Sequence, residues 1–261
     1  MHFTKMQGLG NDYLYVWGAV PADIAALSQR LSERYFGAGA DGMIYIAPSD
    51  KADFSMRIFN ADGSETKMCG NGIRCVGKYV FEKGYTSKSR ITVDTLSGIK
   101  ILHLGVKAGK VETISVEMGT AAVEAETQVE AAGQTVSLTP VDVGNPHAVI
   151  FCEDAESAPV AELGSAIEKH PRFPGGVNVE FVSLIKPNTL RMRVWERGSG
   201  ITMACGTGAC ASVAAAVQKG LCESNTAVEV VLDGGSLFIQ VSQNNEILMR
   251  GNAAFVYEGE I

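Results

Sequence analysis

The sequence has no long hydrophobic run, no cluster of basic residues and few aromatic side chains. Aromatic residues make up 7% of the 261 positions, and the formal net charge is −7. An acidic chain without a Lys/Arg-rich stretch argues against nucleic-acid binding, which usually needs a basic face. No apolar stretch approaches the roughly 18–20 residues that cross a bilayer, and the first residues lack the pattern of a secretory leader. We therefore expect a cytoplasmic protein that binds neither nucleic acid nor membrane.

The composition is that of a globular protein with a full core. Hydrophobic residues make up 46% and charged residues 20% of the chain, and this length allows one large domain or two of ordinary size. The six cysteines are Cys69, Cys75, Cys152, Cys205, Cys210 and Cys222. In a cytosolic chain these are expected to be free thiols, and no pair has the CxxC spacing of a zinc site, so no metal is expected.

The strongest signal in the sequence is an internal duplication. The stretch ETKMCGNGIRCVGKYVFEKG at residues 65–84 returns as ITMACGTGACASVAAAVQKG at residues 201–220, 136 positions later. The same shift aligns MRIF at 56–59 with MRVW at 192–195 without a gap. A repeat of this kind predicts two halves of similar architecture.

Both copies have the same local pattern. The alternating stretches 54–60 and 190–196 predict strands, a C-G-x-G element then opens a helix, and a Lys-Gly pair closes it. Hairpins are expected to turn at Ser97-Gly98 and at Asp233-Gly234, and further helices are expected within 21–37 and 159–173. We predict an α+β fold of two pseudo-symmetric domains, each a mostly antiparallel sheet or barrel around a central helix. The expected domains are 1–118 and 119–250, with the active site in the cleft between them.

A cysteine at a helix N-terminus has two chemical consequences. The positive end of the helix lowers the pKa of a thiol, and the unpaired N–H groups can hold a carboxylate. Glycines would let the backbone approach such an anion; they are Gly70, Gly72, Gly206 and Gly208. If Cys69 and Cys205 face one small molecule, one thiolate can remove a proton from a carbon while the other thiol delivers one from the opposite face. Such a reaction inverts a stereocentre without a metal or pyridoxal phosphate.

The duplicated cysteines by themselves leave other interpretations open. A single C-G-x-G is a weak signal, because cysteine is often a small buried apolar residue. Cys69 and Cys205 could instead form a reversible disulfide in a thiol redox protein, or belong to a non-catalytic module that binds a small carboxylate. The remaining cysteines are interpreted as structural; they are Cys75, Cys152, Cys210 and Cys222.

Six motifs closely resemble those of the diaminopimelate epimerase family, which works without pyridoxal phosphate. They are GLGNDY at 8–13, RIFNADGSE at 57–65, MCGNGIRC at 68–75, VGNPHAV at 143–149, FPGGVNVEFV at 173–182 and VWERGSGITMACGTGACA at 194–211. The resemblance implies interconversion of LL- and meso-2,6-diaminopimelate, a step toward lysine and the peptidoglycan of many bacteria. It also implies no cofactor, a possible homodimer through the region of Tyr257, and a C-terminal strand, 251–261, that returns to the first domain.

The resemblance also assigns roles to residues. It implies Cys69 and Cys205 as the acid/base pair, with His147 and Glu196 beside the thiols. It implies substrate contacts from Asn11, Asn60, Gly70, Asn71, Asn145, Asn178, Glu196, Arg197, Gly206 and Thr207. Taken alone, most of these asparagines would be turn residues, and His147 a structural one.

Two observations bear on which substrate the family resemblance implies. Gly42 stands where many relatives carry glutamine, which puts one substrate contact in doubt. Proline-type racemases of the same fold usually have histidine where this chain has Asn71. A racemase of proline, hydroxyproline or histidine stays open as an alternative.

Overall fold

The computed structural model describes all 261 residues and divides into two compact units. The first unit is Met1–Val116 together with Arg250–Ile261, and the second is Glu117–Met249. None of the four helices is both long and apolar enough to cross a membrane.

Four helices and nineteen strands follow one another along the chain. The helices are α1 (Ile24–Ser32), α2 (Gly70–Glu82), α3 (Val160–Glu168) and α4 (Gly206–Gln218). The first strands are β1 (His2–Gly8), β2 (Asn11–Trp17), β3 (Gly42–Pro48), β4 (Phe54–Asn60), β5 (Glu65–Thr66), β6 (Arg90–Thr95), β7 (Gly98–Lys107) and β8 (Lys110–Thr120). They are followed by β9 (Ala122–Val123), β10 (Thr127–Ala131), β11 (Gln134–Asp142), β12 (Pro146–Phe151), β13 (Asn178–Lys186) and β14 (Thr189–Glu196). The last are β15 (Gly200–Ile201), β16 (Ala227–Leu232), β17 (Gly235–Val241), β18 (Glu246–Gly251) and β19 (Ala254–Glu260).

The strands of the two units pair in the same pattern. In the first unit β1–β2, β3–β4 and β6–β7 are antiparallel, while β2–β3 and β4–β6 are parallel. In the second unit β11–β12, β13–β14 and β16–β17 are antiparallel, while β12–β13 and β14–β16 are parallel. The C-terminal strand β19 adds an antiparallel edge to β1 in the first unit. The duplication therefore extends to the topology, and the predicted α+β fold is confirmed.

Each unit places one largely buried helix against its sheet. In α4 the run from Ala209 to Ala216 is buried throughout, because alanine and other small side chains let strands pack close to the helix. In α2 the buried face includes Arg74, whose guanidinium donates to the carbonyls of Gly70 and Asn252 and to Oδ1 of Asn71. These hydrogen bonds satisfy a buried cation and hold Asn71 at the start of the helix.

Several predicted boundaries are corrected by the structure. Both additional helices are shorter than their predicted stretches, since α1 covers 24–32 and α3 covers 160–168. The first hairpin turns at Leu96 and Ser97, and Gly98 is already the first residue of β7. The hydroxyl of Thr95 explains this turn, because it accepts from Ser97 N–H and donates to the Gly98 carbonyl. The second hairpin turns at Asp233-Gly234 as predicted.

Candidate active site

Cys69 and Cys205 occupy the same position in the two units. Each is the N-cap residue of its buried helix, with an extended backbone. The sulfur of Cys69 accepts a hydrogen bond from the N–H of Gly72, and that of Cys205 accepts from Gly208, at 3.3 Å in both cases. Neither cysteine forms a disulfide. The expectation of a thiol at each helix N-terminus is therefore confirmed.

The second glycine of each C-G-x-G element is required by packing inside the unit. A Cβ on Gly72 would lie 2.8 Å from Cδ1 of Ile44, and a Cβ on Gly208 would lie 2.7 Å from Oε1 of Glu180. These contacts are too short for real atoms. The sequence suggested only that the glycines open the backbone to an anion, whereas the structure gives each a neighbouring side chain that would have to shift to admit a Cβ.

The first thiol site, defined as Asn11, Tyr13, Ile44 and Cys69, places an asparagine and a tyrosine beside the sulfur. The Cys69 thiol donates to Oδ1 of Asn11 at 3.2 Å, and the Asn11 amide in turn donates to Asp41 at 2.7 Å. The Tyr13 hydroxyl is hydrogen-bonded to both Asn11 and Cys69. Burial raises the pKa of Tyr13 well above its ordinary value, and the nearby Cys69 and Asp41 add to the shift.

The second thiol site, defined as His147, Glu180, Glu196 and Cys205, is built from ionisable side chains. Nδ1 of His147 and Oε1 of Glu180 are 2.6 Å apart, and both side chains are fully buried. The Glu196 carboxylate, at the end of β14, accepts a hydrogen bond from the Thr202 hydroxyl and lies close enough to the Cys205 thiol to influence its pKa. Four groups that can exchange protons thus surround the start of α4.

The electrostatics of the second thiol site contradict one expectation. Burial raises the pKa of the Cys205 thiol well above its ordinary value, and the negative charges of Glu196 and Glu180 raise it further. Hydrogen bonds from Thr207 and from the Gly208 N–H act in the opposite direction but are weaker. The predicted low pKa at a helix N-terminus is therefore wrong for Cys205, because desolvation and two carboxylates outweigh the helix.

Glu196 is also more easily protonated than an ordinary glutamate. Burial raises its pKa, and the Glu180 carboxylate acts in the same direction, against a hydrogen bond from Thr202. Because the carboxyl lies near Cys205 and its pKa is raised, it is suited to exchange a proton with that thiol.

Two residues of the thiol sites were missed by sequence reasoning, Tyr13 and Glu180. The parallel registers place Tyr15 beside Ile44 in one unit and Val149 beside Glu180 in the other. Two residues earlier in each strand, Tyr13 and His147 are therefore equivalent. Aligning GNDY at 10–13 with GNPH at 144–147 would have paired them, and the shift of 136 pairs positions 44 and 180.

The residues expected at the helix starts lie there. Gly70 and Asn71 are the first two residues of α2, and Gly206 and Thr207 are the first two of α4. Their backbone N–H groups lie in the first turn of each helix. N–H groups of the first turn have no carbonyl within the helix to bind. Such groups are suited to an anion.

The asparagines expected to bind substrate are fixed by their neighbours. Asn60, at the end of β4, donates to the Ser64 hydroxyl at 3.1 Å. In the second unit, Asn145 donates to Thr207 at 3.4 Å. Asn178 donates to the Pro146 carbonyl at 3.1 Å and accepts from the backbone N–H of Arg197 at 3.0 Å. Asn178 therefore holds the loop that carries Arg197.

Three residues named in the sequence analysis remain to be placed, Arg197, Gly42 and Tyr257. The exposed guanidinium of Arg197 donates to the Gly175 carbonyl at 3.0 Å, which leaves other N–H groups for a ligand. A Cβ on Gly42 would lie 2.2 Å from the Phe59 carbonyl oxygen, so this backbone admits only glycine there. The Tyr257 hydroxyl donates to the Ala38 carbonyl at 2.7 Å.

A cavity of about 270 Å³ in the second unit borders one side of the site. It is lined by Glu124, Pro140, Val141, Asp142, Pro146, His147, Arg172 and Phe173. Cys205 and Glu196 are not part of this lining, so the cavity is distinct from the space around the second thiol.

Comparison with known proteins identifies the family. The sequence profile described as Diaminopimelate epimerase matches residues 3–124 and 139–256. This chain belongs to the diaminopimelate epimerase family. It is 46% identical to the diaminopimelate epimerase of Acetivibrio thermocellus, covering 100% of this chain and 98% of that protein. It is 47% identical to the Methanococcus maripaludis strain C5 protein of the same name, with 100% and 99% covered. As a member of the diaminopimelate epimerase family the chain is an isomerase.

The fold of the family extends to more distant proteins. The crystal structure of a probable proline racemase from Agrobacterium radiobacter superposes with a TM-score of 0.75 at 16% identity, covering 100% of this chain and 92% of that one. A likeness at this identity concerns the fold alone. The predicted fold of the diaminopimelate epimerase family is thereby confirmed.

Proposed function

We propose that this protein interconverts LL- and meso-2,6-diaminopimelate by inverting one α carbon. The observation that carries the proposal is the equivalence of Cys69 and Cys205, each the N-cap of a buried helix in its own unit. The name diaminopimelate epimerase, borne by relatives at 46–47% identity over their full length, supports the substrate.

The chemistry proposed is a two-base proton transfer. One cysteine, as the thiolate, takes the α proton, and the electron pair of the C–H bond delocalises into the adjacent carboxylate. The other cysteine, as the thiol, donates a proton to the opposite face, so that one C–H bond breaks and one forms. Because the pKa of Cys205 is raised, we assign it the protonated state before turnover. Glu196 and His147 then accept its proton when the reaction runs in the direction that needs Cys205 as the base.

Two groups of residues are proposed to bind the substrate. The N–H groups of the two helix starts would hold the reacting carboxylate, whose charge increases as the proton leaves. The residues concerned are Gly70, Asn71, Gly206 and Thr207. The unreacting end needs both donors and acceptors, which asparagine provides, and Arg197 suits a bidentate grip on a carboxylate. The residues assigned to that end, with Glu196 nearby, are Asn11, Asn60, Asn145, Asn178 and Arg197.

The cellular setting is part of the same proposal. We assign the protein to the cytoplasm, to the supply of lysine and of peptidoglycan precursor, and to a homodimer formed near Tyr257. Proton transfer by the side chains named above requires no cofactor.

Replacing each thiol tests the function. Cys69→Ser and Cys205→Ser should each lower the rate of LL-diaminopimelate epimerisation by about 10²–10⁴-fold, since each face needs its own proton-transfer group. Cys152→Ser, a half-buried thiol outside both sites, is the control and should retain the rate. Near-normal activity in either site variant would contradict the two-base scheme.

Three further measurements separate the alternatives. In D₂O the product should carry deuterium at the inverted carbon, and a product without it would exclude exchange with solvent. Turnover of proline, hydroxyproline or histidine in place of diaminopimelate would assign the chain to another racemase activity. A Cys69/Cys205 disulfide that equilibrates with glutathione, without stereoinversion, would indicate a redox protein instead.

A further inference from the structure

Glu180 makes a short side-chain contact within the second thiol site, although neither the motifs nor the proposed mechanism gives it a role. Its Oε1 lies 2.6 Å from Nδ1 of His147, and both side chains are completely inaccessible to solvent. A carboxylate in such a position is costly unless it is paired and hydrogen-bonded. A buried pair at this distance indicates a function that offsets the cost.

Each partner of the pair has one polar atom left over. Nε2 of His147 and Oε2 of Glu180 are buried and have no hydrogen-bond partner. Buried polar atoms of this kind are rare in native proteins. The pair lies beside the reactive thiol, because a Cβ on Gly208 would touch both Oε1 of Glu180 and Sγ of Cys205, at 2.7 and 3.2 Å. The paired histidine and carboxylate are therefore part of the second thiol site.

The hydrogen bond decides which nitrogen of His147 is free. An ionised carboxylate only accepts hydrogen bonds, so Nδ1 must carry the proton that it donates to Glu180. In the neutral imidazole this leaves Nε2 as the acceptor. We propose that Glu180 is a positioning residue that holds His147 in the Nδ1–H tautomer, so that Nε2 is the ring nitrogen able to accept a proton. The catalytic part of this proposal rests on the proposed epimerase function.

The first unit indicates that the fold itself does not need this carboxylate. The equivalent position is Ile44, which is fully buried and makes the same close approach to its helix glycine. The partner position is Tyr13 instead of His147. A strand with the same register therefore forms with an apolar side chain at this position. The carboxylate occurs only in the unit that has a histidine at the partner position.

The charged and titratable groups around Glu180 come from three other elements. Glu196 lies at the end of β14, Cys205 caps α4, and His147 belongs to β12. The charges of Glu180 and Glu196 both raise the pKa of Cys205. A change at Glu180 should therefore alter how the activity depends on pH, whereas a purely structural residue would not.

The tautomer can be tested without any substrate. The chain has four histidines, so ¹⁵N-histidine labelling gives few ring signals, and loss of one set in His147→Asn assigns them. We expect the neutral ring of His147 to show a protonated Nδ1 and an unprotonated Nε2. In Glu180→Gln this preference should weaken, and in Glu180→Ile, which copies Ile44, the proton should move to Nε2. A native Nε2–H tautomer, or a tautomer unchanged in Glu180→Ile, would overturn the proposal.

Kinetics test the consequence for the reaction. Glu180→Gln should lower kcat by about 10–100-fold, the effect of losing a hydrogen bond to a charged group, and leave KM within about twofold. In the His147→Asn background the same change should have almost no further effect. Equal losses in both backgrounds would show that Glu180 does not act through His147.

A control variant separates positioning from stability. Glu82 accepts from Lys78 and from the Val111 N–H in the first unit, so Glu82→Gln removes a structural carboxylate far from His147 along the chain. It should lower the thermal midpoint without changing the pH profile of kcat. A wild-type protein with no epimerase activity would defeat the proposed function alone, since the tautomer measurement would still decide the role of Glu180.

Discussion

In the first unit, the thiol at the helix start contacts an asparagine and a tyrosine, while in the second an equivalent thiol contacts a glutamate close to a buried histidine–carboxylate pair. The strand order, the register and the N-cap geometry are shared. Duplication preserved the backbone, and the side chains around the sulfurs diverged. The difference suits a reaction in which one thiol must start as the base and the other as the acid.

The largest effect is expected from removing the proton acceptor of the second site. Glu196→Gln should lower kcat by about 10²–10⁴-fold, the usual contribution of a general acid or base. Asn60 ends the corresponding strand of the first unit, and Asn60→Ala should act mainly on KM. Steady-state kinetics in both directions distinguish the two, and similar kcat losses in both variants would mean that the sites are functionally alike.

The helix glycines give a second comparison. Gly208→Ala would press against Glu180 and Cys205, whereas Gly72→Ala would press against an Ile44 methyl group. Overpacking costs about 1–3 kcal/mol in either case, measurable by denaturant unfolding. Only Gly208→Ala should also shift the pH profile of kcat. If Gly72→Ala alone shifted it, the ionisable groups that set the profile would lie in the first unit.

The phenol of the first site should matter less. Tyr13→Phe removes a neutral hydrogen bond to Cys69, worth about 0.5–1.5 kcal/mol, so the rate should fall by about 2–10-fold. His147→Gln at the equivalent position should cost more, because it removes a titratable group. A larger loss in Tyr13→Phe would show that the phenol itself takes part in proton transfer.

The smallest effect concerns stability at high pH. Burial raises the pKa of Cys75 to about 11, so between about pH 9 and 11 the unfolded chain loses this proton while the folded chain retains it. The free energy of unfolding should then fall by about 1.4 kcal/mol per pH unit. Cys75→Ala copies the second unit, where Ala211 is equivalent and buried, and should remove this part of the decline. An unchanged slope in urea unfolding would contradict the assignment.

Much of the fold followed from local patterns. Alternating residues predicted β4 and β14, and glycine with a polar N-cap predicted the starts of α2 and α4. Boundaries were less certain: the turn before β7 depends on the Thr95 hydroxyl, and α1 ends at Ser32 because Glu33 is extended. Such details depend on single hydrogen bonds that periodicity does not record.

The residues of the thiol sites likewise differ in whether the sequence alone predicts them. Cys69 and Cys205 stand out because their motif is repeated, but Glu180 is one acidic residue in a mostly apolar strand, and Tyr13 resembles any core aromatic. Their importance comes from neighbours that lie far away in the chain.

By itself, the sequence determined the duplication, the α+β class and the positions of two thiols at helix starts, because these depend on residues close together in the chain. The protonation chemistry was decided only by the tertiary structure. The pKa of a thiol depends on burial and on charges a few ångströms away, and strands from separate parts of the chain bring those charges together.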